Sequence, residues 1–141
     1  MNKIILTGVS LLMASTILLS ACTSASPSAD LAGTTWKLVS YGPVQNQSAA
    51  APGIQTNLGF GTDGTVNGNM GCNSFSGRFE MKDGSIAFSR MLSTMMACLG
   101  PQMDQEQTAL KVMSGTARFQ LKANTLTLYD TSGAVSITLS K

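Results

Sequence analysis

The sequence predicts a mainly β domain of the α+β class, built from seven or eight antiparallel strands with one packed α-helix. Three observations carry that prediction. Phe75, Gly77, Phe79 and Met81 alternate with Ser76, Arg78 and Glu80, the two-residue period of a strand with one buried face. Short turn signals at Asp63-Gly64, Asp83-Gly84, Ala123-Asn124 and Ser132-Gly133 separate the β-type runs, as hairpins between successive strands require. Helical spacing is convincing in a single stretch, which opens at Gly100-Pro101 and closes at Gly115.

Composition narrows the function classes. The chain has 141 residues, room for one core once the opening segment is set aside. Charged residues make up 11% and the formal net charge is +2, so no nucleic-acid footprint is expected. There is no histidine, which removes the commonest general base and metal ligand and speaks against an enzyme. No cofactor is expected.

Residues 1–21 have the form of a secretory signal: Lys3, an apolar run from Ile4 through Leu19, then small residues. The run is shorter than the roughly 20 apolar residues of a membrane-spanning helix. Leu19-Ser20-Ala21-Cys22 resembles the lipobox of bacterial lipoproteins. That resemblance implies lipid attachment at Cys22 and a membrane contact made through the N-terminal lipid. Residues 22–30, with the small polar run TSASPSAD, read as a tether. Thr23, rather than aspartate, follows Cys22, which by likeness to enteric lipoproteins implies the periplasmic face of the outer membrane. In an organism without one, the external face of the cytoplasmic membrane is implied.

The folded domain is expected over residues 31–141. Its first strand places Trp36 and Leu38 on one face and Thr35, Lys37 and Val39 on the other. Trp36 is read as a core anchor in preference to a stacking platform for a ligand. Gly42 to Gly53 has no usable period and is expected to be a loop, a candidate rim or lid. Leu58 and Phe60 share a strand face, and Thr65 to Met70 returns from the Asp63-Gly64 turn as a partner strand weakened by Gly68. The amphipathic strand through Phe75–Met81 follows, and after Asp83-Gly84 the chain returns through Ile86 and Phe88. Met91 to Cys98 is apolar and methionine-rich, and its expected role is to fill the core.

The helix begins with proline in its first turn and places Asp104 and Glu106 near the positive end of its dipole. Met103, Leu110 and Met113 recur at helical spacing. Glu106, one turn from both Met103 and Leu110, either bonds exposed backbone donors or is solvated; the sequence leaves the choice open. Arg118–Leu121, Leu126–Tyr129 and Val135–Leu139 complete a three-stranded meander.

Met70-Gly71-Cys72-Asn73-Ser74-Phe75-Ser76-Gly77, together with Met95-Met96-Ala97-Cys98 and the helix bearing Met103 and Glu106, resembles the META domain of the HslJ-like proteins. Trp36-Lys37-Leu38 and Leu126-Thr127-Leu128 also fit it. The resemblance implies a small antiparallel β-barrel-like fold with one helix against it. It also implies an envelope protein connected with heat-shock response and novobiocin tolerance, and it brings no established enzymatic activity.

With Cys22 acylated, Cys72 and Cys98 are left as a pair, and export to an oxidising compartment favours a disulfide between them. Two buried thiols are the alternative. Zinc lacks further ligands, and a cysteine nucleophile lacks its base. Asn73 is read as satisfying local backbone groups in preference to binding a ligand. Arg78 and Arg90 are candidate anchors for an anionic ligand or plain surface charges. The functional expectation is a non-enzymatic, lipid-anchored envelope protein acting in stress or antibiotic tolerance. Its expected partner is another envelope component or a small apolar ligand. The alternative is an accessory, chaperone-like lipoprotein. An apolar cavity would favour a ligand carrier, whereas a filled core beneath an exposed apolar patch would favour protein docking.

Overall fold

The computed structural model describes residues 31–141; the expected signal segment, the tether and Cys22 lie outside the described residues. Nine strands and one helix follow in chain order. They are β1 (Thr34–Pro43), β2 (Ser48–Ala49), β3 (Asn57–Phe60), β4 (Thr65–Asn69), β5 (Ser74–Lys82), β6 (Ser85–Ser93), α1 (Pro101–Val112), β7 (Thr116–Lys122), β8 (Thr125–Tyr129) and β9 (Val135–Ser140). All pairings are antiparallel, and β1 pairs with β9 as well as β3, so eight strands close into a barrel and β2 is a short addition beside β1. Closure removes most of the sheet edge that an open sheet would leave.

The strands form where the two-residue period supplied an apolar face. Trp36, Leu58, Phe60, Val66, Ile86, Leu126, Leu128, Ile137 and Leu139 all point inward and are almost fully buried, and the interior is filled by these side chains. Trp36 is part of that core: its indole N–H donates to Thr34 Oγ1 at 2.7 Å, and Lys141 Nζ lies 4.8 Å from the ring centroid. At Asp83-Gly84 both residues have positive φ (50° and 74°), as a two-residue hairpin with the sheet's right-handed twist requires.

The register gives the barrel two unlike ends. The start of β1, the tight turns at 61–64, 83–84 and 123–124, and the chain's end at Lys141 share one end, because Thr34 pairs with Phe60, Lys82 with Ser85 and Lys122 with Thr125. Segments 70–73 and 94–100 and helix α1 occupy the other, which we call the helix end.

Three local expectations are corrected. The predicted loop from Gly42 to Gly53 contains the end of β1 and the two-residue β2, because Ser40 and Tyr41 pair with Ala49 and Ser48. Helix α1 does not bury Met103 and Leu110 fully; its buried positions are Gln105, Glu106, Ala109 and Val112, followed by Met113. Two polar side chains sit in that stripe because backbone donors and acceptors await them, which apolar spacing cannot reveal. The Met91–Cys98 run does not fill the core as a unit. Met91 is half-buried, but Leu92, Met95 and Met96 are exposed, since this segment passes over the helix end where no further layer covers it.

Candidate functional site

The helix end is organised by one carboxyl group. The chain from Met70 to Asn73 lies directly against the first turns of α1: a Cβ on Gly71 would stand 2.1 Å from Gln102 O, so only glycine permits the approach. That contact brings Glu106, 3% exposed, under the backbone of the 72–73 segment. Its Oε2 accepts the Cys72 N–H at 2.6 Å and also the Asn73 N–H, while Oε1 accepts Asn73 Nδ2 at 2.7 Å. The choice the sequence left open is settled by these bonds: Glu106 holds backbone donors. Gln105 performs the neighbouring task, accepting Ala51 N–H at 2.7 Å and donating to Met70 O at 2.6 Å.

Asn73 passes this order on to the next segment. Its Oδ1 accepts Thr94 Oγ1 at 2.8 Å and Met96 N–H at 2.7 Å, and its Nδ2 also donates to Met96 O at 3.2 Å. The amide is thus a local backbone organiser. A disulfide joins Cys72 to Cys98, with their Cα atoms 6.0 Å apart. Residues 94–98 are therefore held from both ends, by Asn73 and by the sulfur bridge. Among the described residues every buried side-chain nitrogen or oxygen has a partner, so no polar atom in this cluster is left aimed at a missing ligand.

What the cluster displays is apolar. Met95 is 97% exposed, Leu99 93%, Leu92 71% and Met96 56%, all within eight residues of chain. These four apolar side chains are thus exposed on a segment that hydrogen bonds and the disulfide hold in place.

The other predicted positions fall elsewhere. Arg78 and Arg90 lie on the outer face of β5 and β6, where Arg78 pairs with Ser89, and both line a surface cavity of ≈ 530 Å3 with Phe79, Glu80 and Ser89. Arg90 has φ 53° at the bulge between Ser76 and Arg78, a left-handed conformation uncommon for a side-chain-bearing residue. Trp36 is buried away from this face. Among the described residues no three His, Cys, Asp or Glu side chains gather in a metal-holding group. Gln105 and Thr94 escaped the sequence reading, because nothing in their local pattern marks the partners that they find across the fold.

The family model described as the META domain matches residues 29–141. No curated protein matches the chain. Among solved structures, an NMR structure of a protein from Burkholderia xenovorans is similar at a TM-score of 0.68 with 21% identity, covering 94% of this chain and 97% of the other. A second NMR structure aligns at 0.63 with 24% identity, over 79% and 92%. A crystal structure of a DUF4847 family protein from Bacteroides vulgatus aligns at 0.55 with 17% identity, over 78% and 93%. At these identities the likeness shows the fold.

Proposed function

Because the chain belongs to the META domain family, we propose that it is a non-enzymatic, lipid-anchored protein of the cell envelope that docks another envelope protein through the apolar surface at its helix end. The observation that carries this reading is the exposure of Leu92, Met95, Met96 and Leu99 on a segment pinned by Asn73, Glu106 and the disulfide. Ordering an apolar loop and then leaving it in water is unfavourable unless something covers it. The filled barrel interior argues against a small apolar ligand carried inside.

Position supports a protein partner. The described chain begins at Leu31, at the end of the barrel opposite the apolar loop. With Cys22 acylated, residues 23–30, which span at most about 28 Å, would join the membrane to the barrel end opposite the loop and leave the loop free to meet a partner. The role in stress or antibiotic tolerance rests on family membership alone. The accessory, chaperone-like reading draws on a narrower observation: Met95 and Met96 are adaptable side chains that suit a surface meeting several clients.

The test is in-cell crosslinking of the full chain, comparing wild type with a Met95→Ser, Leu99→Ser double variant. A defined crosslinked partner that disappears in the double variant, with thermal unfolding unchanged, is the expected result. A partner set unaffected by the two substitutions overturns docking at this surface. Intact mass of the same preparations, with and without reductant, reports acylation at Cys22 and the Cys72–Cys98 bond together.

A further inference from the structure

One strand of the barrel keeps an open edge. β6 has nine residues, but only Ser85, Ile86 and Ala87 pair with β7. Phe88 N–H makes one more bond, to Gly115 O at 2.7 Å. At Gly115, φ +95°, the chain has just turned out of helix α1, so that beyond Phe88 the neighbour of β6 is the helix end with Leu110 and Met113. Between them lies a groove of ≈ 320 Å3 walled by Met91, Leu92, Leu110 and Met113, with Arg90 at its rim.

The backbone facing this groove is unpaired. Thr94 N–H returns to Ser74 O of β5 at 3.0 Å, so Ser93, one residue earlier, turns its N–H and C=O to the open side, and Met91 does the same two residues before that. Among the described residues neither has a backbone partner on this edge. A groove offering strand hydrogen bonds along one wall and apolar side chains along the other fits an extended peptide, whose main chain supplies affinity and whose alternate side chains supply specificity. The groove's volume lies at the small end of the about 300–1,000 Å3 typical of ligand sites. Arg90 and Arg78 line the adjoining cavity together with Glu80 as its single acid, so the rim is net positive.

Resting on the docking reading above, we propose that the partner engages as an extended segment that adds a strand to the free edge of β6 between Phe88 and Ser93. Its apolar side chains enter the groove beside α1, and an acidic residue meets Arg90. Leu92 joins the two surfaces, since it lines the groove and belongs to the exposed apolar group. The bulge at Arg90 limits the edge to a short segment, which keeps it from pairing indiscriminately with other strands.

The experiment is selection from a displayed random heptapeptide library on the disulfide-intact protein, in parallel with an Arg90→Glu variant. Expected are peptides with alternating apolar residues and an acidic residue. Their binding should slow amide exchange at Met91 and Ser93 at least ten-fold, and N-methylation of every second peptide nitrogen should abolish binding in one register and spare it in the other. On Arg90→Glu the selected charge should reverse to basic. Failure to enrich any peptide, peptides of helical spacing, protection confined to residues 95–99, indifference to Arg90→Glu, or self-association through this edge would each overturn strand addition. The crosslinking result keeps the two readings apart: loss of the partner in the Met95, Leu99 double variant alongside unprotected β6 amides leaves docking standing and removes only the strand mode.

Discussion

Replacing Glu106 tests the organisation of the helix end. In Glu106→Ala, the Cys72 and Asn73 backbone N–H groups and the Asn73 side-chain amide lose their acceptor together, in a place too buried for water to substitute freely. Asn73 Nδ2 keeps its bond to Met96 O, whereas the two backbone donors are left without a partner at about 1–3 kcal/mol each, so the variant should lose about 2–6 kcal/mol. That is a large share of the roughly 5–15 kcal/mol typical of a small domain. Glu106→Gln keeps an oxygen for the two backbone donors but turns an NH2 towards Asn73 Nδ2. Asn73 cannot flip to repair this, because its Oδ1 is committed to Thr94 and Met96. A smaller loss of about 1–3 kcal/mol follows. Urea unfolding of the oxidised protein measures both, with the midpoint falling in the order wild type, Gln, Ala at constant slope. Amide exchange at Met96 should quicken in both variants, since its N–H bond to Asn73 Oδ1 depends on Asn73 being held. Equal losses for Gln and Ala, or losses below about 0.5 kcal/mol, would refute the assignment of Glu106 as the organiser.

Three further outcomes are expected. Replacing Cys72 and Cys98 by alanine opens a bridge with sequence separation 26, and chain entropy puts the loss at about 3.5 kcal/mol, to be read from the denaturation midpoint; an unchanged midpoint would contradict it. Ala123, at φ 49° in the turn between β7 and β8, is held in a left-handed conformation, so Ala123→Gly should raise stability by about 0.5–1 kcal/mol, and a lower melting temperature would count against that. Partial burial pushes the Asp130 carboxyl up, but the Val135 N–H at 3.1 Å, the Ser132 hydroxyl at 2.8 Å and neighbouring backbone N–H groups outweigh it and hold its pKa below the ordinary 3.8. The folded state therefore binds this proton less readily than the unfolded chain. Its contribution is present above the ordinary value and fades as the pH falls through the lowered one, so Asp130→Asn should flatten the acid side of the melting-temperature profile.

The secondary structure was largely legible because its signals are local. Alternation in Phe75–Met81 and the glycine of Asp83-Gly84 act over a few residues, and both operate in the structure as the sequence indicates. The helix was legible at its ends, through Pro101 and the glycines, but not in its buried face. Gln105 carries no local mark and Glu106 leaves two readings open until Ala51, Met70, Cys72 and Asn73 are brought beside them from as far as 54 positions away. The methionine run misled for the converse reason: apolar composition says that a side chain favours burial, and only the surrounding layers say whether burial is on offer.

By itself, then, the sequence determined the mainly β architecture, the single helix and the family pattern around Cys72-Asn73 and Cys98, because turn chemistry and strand periodicity are properties of neighbouring residues. The tertiary structure alone decided that Glu106 is the centre of the helix end, that Met95 and Leu99 are left uncovered, and that β6 keeps a free edge. Each of these depends on what the closing of the barrel brings near or leaves without a neighbour, and no short stretch of chain encodes that.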